Sequence, residues 1–163
     1  MKNFLLILLL ASFSTFSQEM SIEKLNEIIK QKSDTLQVKG NSWHFTLNDR
    51  LLICIADKNA NRMRIISPIA KKEQLDDTLI LNSLVANFHT ALDVKYAISD
   101  DVLWSVFTHP LKELSVHQVE DAILQVYNAN ITFGTIFSST SLTFPDNTKK
   151  NLQKEKKYLE NKI

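Results

Sequence analysis

Trp43-His44-Phe45-Thr46-Leu47-Asn48-Asp49-Arg50-Leu51-Leu52-Ile53-Cys54-Ile55-Ala56 is the stretch on which the fold turns. Trp43, Phe45 and Leu47 alternate with His44 and Thr46, the period of two that sends one set of side chains into a core and the other toward water. Asn48-Asp49-Arg50 is a polar turn, and Leu51 to Ala56 follows as a run apolar on both faces, which predicts a central strand. Downstream, Asp57-Lys58-Asn59-Ala60-Asn61 is a second turn-forming cluster. Met63-Arg64-Ile65-Ile66-Ser67-Pro68-Ile69 then predicts a third strand, with Pro68 at an end or an edge because proline has no N–H to give to a ladder.

Helical spacing brackets these strands. Ser21 caps a helix in which Ile22, Leu25, Ile28 and Ile29 recur on one face up to about Ser33, with Glu23 in the positively polarised first turn. Leu75, Leu79, Leu81, Leu84, Val85, Phe88 and Leu92 predict a second helix from near Gln74 to Thr90, with a broad apolar face packed on the sheet. Val94 to Ile98 and Val102 to Phe107 read as a hairpin around Ser99-Asp100-Asp101, ended by His109-Pro110. The last helix is the best marked: Ser115 and Gln118 have capping-box spacing, and Leu114 and Val119 have staple spacing. Val119, Ala122, Ile123, Val126, Tyr127, Asn130 and Phe133 carry one face to Gly134, with Asn130 its polar exception. Thr135 to Thr143 reads as a loop or a loosely held strand. The fold class is therefore α+β, in the order α-β-β-β-α-β-β-α.

The N-terminus carries a different message. One cation at Lys2, a short apolar core from Phe4 to Phe13 and small residues at Thr15 and Ser17 read as a signal peptide over residues 1–17, cut after Ser17. The apolar run is too short to cross a bilayer, which takes about 20 residues. The expectation is an exported chain, periplasmic or secreted, soluble and without stable membrane insertion. Losing Lys2 balances the 19 Lys+Arg against the 18 Asp+Glu, so no global field draws the chain to nucleic acid. Residues 18–143 are read as one domain. Residues 144–163 are read as a C-terminal tail that is basic from Lys149 onward, with six Lys against two Glu, and as a solvated terminal helix before a partner-binding arm. Cys54 is the only cysteine, so no intramolecular disulfide can form, and its apolar run makes it a buried, inert thiol.

The search for chemistry excludes several classes. With only Gly40 and Gly134, the chain cannot build a phosphate-cradling glycine loop or a dinucleotide fingerprint, and no cofactor is expected. His44, His89, His109 and His117 have no zinc-ligand spacing, so no metal site is expected. Asp76-Asp77 and Asp100-Asp101 fit a helix first turn and a hairpin turn better than an acid–base pair. Ser138-Ser139 lacks the glycine-flanked elbow of a nucleophile. Trp43 and Trp104 read as bulk for strands. Arg62 and Arg64, alternating about Met63, share a face that is either solvated sheet surface or an anion contact. No catalytic residue is assigned.

The element order over residues 20 to 137 resembles the Tir-chaperone (CesT-like) fold of type III secretion chaperones and the related YbjN-like domains. The matching segments are Asn61 to Ile69 after a polar hairpin, Leu84-Val85-Ala86-Asn87-Phe88 closing a helix, and Lys95 to Trp104. The resemblance implies a twisted antiparallel sheet with helices packed on it, often a homodimer, and a binding role. It does not carry over the cytoplasmic, acidic character of secretion chaperones, because this chain reads as exported and neutral. The function expected is an exported, non-catalytic binding module that holds a protein or peptide or a second copy of itself, with Met63, Ile65, Tyr96 and Trp104 as partner-binding residues. The alternatives are an envelope hydrolase with a dispersed site drawn from His44, His109 or His117 and an Asp, and a carrier of a small apolar ligand.

Overall fold

The structure, a computed structural model, describes residues 19–140. The expected signal peptide, the end of the Thr135–Thr143 segment and the basic tail lie outside the described residues. Helix α1 (Ile22–Lys32) starts where Ser21 Oγ accepts the Lys24 N–H at 3.3 Å. Glu23 in its first turn and Lys30 and Lys32 in its last complement the helix dipole. Its Leu25, Ile28 and Ile29 are buried.

Four strands follow where three were expected. β1 (Thr35–Lys39) pairs with β2 (Ser42–Leu47), and β2 pairs with β3 (Arg50–Asp57) across a turn whose Asn48 and Asp49 both have positive φ, at 46° and 63°. Two successive left-handed residues match the right-handed twist of a tight hairpin, and Asn and Asp tolerate that conformation better than other side-chain-bearing residues. β4 (Arg62–Lys71) pairs with β3, and a short 3-10 turn (Lys72–Gln74) leads to α2 (Asp77–His89). β5 (Lys95–Ser99) and β6 (Val102–His109) form the second hairpin, with Asp100 and Asp101 at φ 51° and 57°. Helix α3 (Val116–Thr132) begins with the capping box read from the sequence: Ser115 Oγ accepts from Gln118 N at 3.2 Å and Ser115 N–H donates to Gln118 Oε1 at 2.8 Å.

The result is one six-stranded antiparallel sheet in the order β1-β2-β3-β4-β6-β5. The α+β class and its helix-on-sheet arrangement hold, with β1 added at one edge. Pro68 is not at an end or an edge: β4 lies between β3 and β6, and the register of its ladder shifts between Pro68 and Ala70. The irregularity absorbs the missing N–H, and α3 supplies what the ladder lacks. Asn130, buried on that helix, donates through Nδ2 to Ser67 Oγ and to Pro68 O, both at 2.7 Å, while Ser67 Oγ donates to Leu51 O at 2.7 Å.

The core lies between one face of the sheet and helices α1 and α3. Trp43, Cys54, Ile65 and Phe107 stand opposite one another across four strands, and all are buried on that face. Trp43 Nε1 donates to Asn26 Oδ1 of α1 at 2.9 Å, and Ser105 Oγ donates to Val126 O of α3 at 3.0 Å. Burying a Leu, Ile or Phe side chain contributes about 1.5–3 kcal/mol, so this row and the helix positions Leu25, Ile29, Val119 and Ile123 dominate stability. Cys54 is wholly buried and burial pushes its thiol pKa up, in keeping with an inert thiol.

Helix α2 departs from expectation. Only Ser83 and Ala86 of its residues are buried, and of the broad apolar face predicted to pack on the sheet only Leu75 and Leu79 lie partly buried against the core, while Leu81, Leu84, Phe88 and Leu92 are exposed. With α1 and α3 on the sheet, α2 sits beside β5, where Asn87 accepts the Tyr96 N–H at 2.7 Å and donates to Tyr96 O at 3.1 Å. Beyond α3 the chain turns at Gly134 (φ 80°), and Thr135 to Thr140 forms no strand. No described helix is long and apolar enough to cross a membrane.

Candidate protein-binding surfaces

Strand alternation gives the sheet a second face on which no described helix packs. Register fixes its rows. Lys39, Ser42, Ile55, Arg64 and Thr108 stand side by side in one, and Gln37, His44, Ile53, Ile66, Val106 and Lys95 in the next. Pro68 and Trp104 face each other in a further row, beside Ala97. Leu51 and Ile55 are exposed, at 41% and 46%, so an apolar strip runs across the middle strands in contact with solvent. A recess of about 400 Å³ opens at one end of it, lined by Ile55, Asp57, Arg62, Met63, Arg64 and Thr108.

The four residues singled out from the sequence divide between the two faces. Met63, Ile65 and Tyr96 are buried on the helix side and form part of the core. Tyr96 Oη donates to Ala129 O at 2.9 Å, and burial pushes its pKa up to about 12. Of the four, only Trp104 is placed on a face that no described helix covers. Trp104 lies on the open face, half-buried, with Nε1 donating to Ser99 O at 3.1 Å. The alternate residues Ile53, Ile55, Ile66 and Val106 stand with it on the open face, where the period of two places them.

A second apolar surface runs along α2. Leu81, Leu84 and Phe88 recur three and four apart and are 59%, 58% and 87% exposed, and Leu92 continues the line just past the helix. Exposure of this extent on three spaced large side chains is unlike scattered surface leucines.

The dispersed titratable groups do not converge among the described residues. His44 stands on the open face, His117 is exposed in the first turn of α3, and His89 packs edge-on against Phe88 at 4.8 Å between ring centres. His109 stacks on Phe107 at 6.1 Å, and its Nδ1 lies 2.8 Å from Pro110 O. His109 lines a recess of about 410 Å³ together with Asp93 and Asp121, yet both carboxylates there accept from Gln125 Nε2, at 3.2 and 2.7 Å. No group of three or more His, Cys, Asp or Glu among the described residues could hold a metal ion. Asp76 accepts the Leu79 N–H at 2.7 Å as a helix cap, and Asp100-Asp101 forms the hairpin turn, as their spacing predicted.

No family model matches this chain, and no curated protein matches it. Among solved structures, three are similar in fold. The HopA1–SchA chaperone–effector complex matches with a TM-score of 0.54 and 10% identity over 68% of this chain and 90% of the other. The Yersinia pestis type III secretion chaperone SycH, in complex with a stable fragment of YscM2, matches with a TM-score of 0.52 and 10% identity over 69% and 98%. The ExsC–ExsE complex matches with a TM-score of 0.56 and 9% identity over 74% and 95%. The fold is that of type III secretion chaperones. The likeness covers nearly the whole of each neighbour, so it concerns the complete sheet and its helices and not a shared hairpin. It also overturns the expected compartment: these neighbours are cytoplasmic chaperones, in conflict with an exported or periplasmic chain, and that reading is withdrawn.

Proposed function

We propose that this chain is a non-catalytic, chaperone-like protein-binding module that holds a segment of another protein on uncovered apolar surface and pairs with a second copy of itself through α2. The observation that carries the proposal is the outward stripe of Leu81, Leu84 and Phe88, on a helix that reaches the core through Leu79, Ser83 and Ala86 on its other side. A two-fold pairing lays this stripe on its own copy, as an isologous interface requires. Each large side chain fully buried contributes about 1.5–3 kcal/mol, so the six from two copies supply about 10 kcal/mol or somewhat more. Association itself costs about 4–15 kcal/mol, a cost of the same size, so the pairing is weak and depends on concentration. The three neighbouring structures are each complexes with a protein partner, which supports a partner segment elsewhere on this fold. A segment can lie on the open face of the sheet or add to the edge of β1, which no described strand covers.

Light scattering after gel filtration of the full chain tests the pairing. A dimer mass at about 100 μM that falls to a monomer in the variant Leu84→Glu with Phe88→Glu, with far-UV dichroism unchanged, is the expected result. A wild-type monomer at that concentration, or a variant that stays dimeric, overturns it. The binding role is tested by affinity for extended synthetic peptides, and its absence for apolar and amphipathic sequences alike would remove it.

A further inference from the structure

We infer that the open face of the sheet takes an acidic segment of a partner protein, one whose carboxylates alternate with apolar side chains. This rests on the protein-binding reading above and specifies the chemistry of the partner. The chain as a whole is close to neutral, but this face is not. Lys39, Arg62 and Arg64 point from it, and the one acid that shares their rows is Asp57. Asp57 faces Arg62 in the register, yet its Oδ1 accepts the Asn59 and Ala60 N–H groups at 2.8 and 2.9 Å and serves the turn. Arg62 Nη1 donates to Asn61 O at 3.1 Å. Arg64 has no hydrogen bond or ion pair with any described residue, and it stands between Ile55 and Thr108 with Ile66 two residues along.

That placement sets the partner's chemistry. Ile55 and Ile66 cannot be covered without also covering Arg64. A neutral cover would take the guanidinium out of water and return nothing, whereas a carboxylate there forms a charge-assisted, bidentate pair. The basic tail from Lys149 to Ile163 and the same face of a second copy are both cationic, so like charge disfavours either as occupant. A segment lying along β4 sets alternate residues about 6.7 Å apart, over Arg62, Arg64 and Ile66 in turn. The matching pattern is acid-x-acid-x-apolar, with the recess beside Ile55 and Thr108 receiving the second acid.

The test measures fluorescence anisotropy of the full chain with three labelled peptides that share Ile and Leu positions and carry Glu, Gln or Lys at the paired sites. The Glu peptide is expected to bind at least tenfold tighter than the Gln peptide. That preference should fall to within threefold in the variant Arg62→Gln with Arg64→Gln, and should shrink between about 50 and 300 mM salt. Equal binding of the Glu and Gln peptides, or stronger binding of the Lys peptide, overturns the inference and leaves the protein-binding reading standing. Binding by none of the three overturns both. A single-stranded oligothymidylate, or a vesicle containing phosphatidylserine, that displaces the Glu peptide at lower concentration than the unlabelled peptide also overturns it, because the face would then be read by phosphate.

Discussion

Replacing Asn130 by Ala should destabilise the folded chain by about 2–4 kcal/mol, although the side chain is buried on the helix side of the sheet. The amide reaches from α3 to the irregular part of β4 and gives both its protons there, to Ser67 Oγ and Pro68 O at 2.7 Å each. Ser67 has already committed its own proton to Leu51 O, so it cannot turn to fill the gap. Two net hydrogen bonds at about 1 kcal/mol each are lost, and a buried carbonyl left unsatisfied adds about 1–3 kcal/mol, partly the same energy counted twice. The space vacated adds about 1 kcal/mol more if the helix does not settle into it. Asn130→Asp sharpens the reasoning. At neutral pH it points carboxylate oxygens at two acceptors, so it should be less stable than the Ala variant, and the introduced acid should have a raised folded pKa. Its stability relative to Ala should therefore improve as pH falls, when protonation restores one donor. Urea titration followed by tryptophan fluorescence and far-UV dichroism measures both variants. A loss below about 1 kcal/mol for Ala with unchanged slope, or an Asp variant no worse than Ala at pH 7, would refute the role of this amide in holding the bulge.

Alkaline pH should weaken the fold. Burial raises the Tyr96 phenol from 10.0 to about 12 and raises the Cys54 thiol, so the unfolded chain gives up these protons first. Stability is then complete below about pH 8 and is lost as pH rises from about 9 to 12. The Tyr96 part is roughly 3 kcal/mol. Melting temperatures that stay level from pH 8 to 11, or that fall as steeply in Tyr96→Phe, would contradict this. Asp101→Gly should raise the melting temperature by a few degrees. Asp101 has φ 57°, where a left-handed residue with a side chain bears about 1–2 kcal/mol of strain, against about 0.5–1 kcal/mol of extra chain entropy for glycine. A drop on calorimetry would show the Asp side chain to be stabilising in the turn.

Much of the architecture was legible because the local signals agree with one another. The two-residue alternation from Trp43 and the cap at Ser115 both specify where side chains go without reference to distant parts of the chain. β1 was missed because Leu36 and Val38 are its only large apolar residues, in a strand that is mostly exposed and exists because β2 offers it a ladder. Pro68 was misplaced for a related reason: the rule that proline avoids inner strands considers only the ladder, and here Asn130 comes from 62 residues away to bond the proline carbonyl. The apolar spacing of α2 correctly announced a helix face, but periodicity says that a face exists and not what lies against it. The candidate contact residues illustrate how sharp the alternation is. Met63 and Ile65 were selected where Arg64 and Ile66, one position on, reach solvent. Export was read from the leader alone, and nothing in the strand and helix pattern bears on compartment until the fold is compared with others.

The double hydrogen bond from Asn87 to the backbone of Tyr96 makes the two sides of the sheet unequal. A single amide takes the Tyr96 groups that a further strand would use, so strand addition at β5 is hindered, while β1 at the opposite end has no neighbour beyond it among the described residues. Open-ended stacking of sheets into a fibre needs two receptive sides per molecule. With Tyr96 already bonded on one side, molecules that meet through their β1 strands form a pair that the sheet alone does not extend.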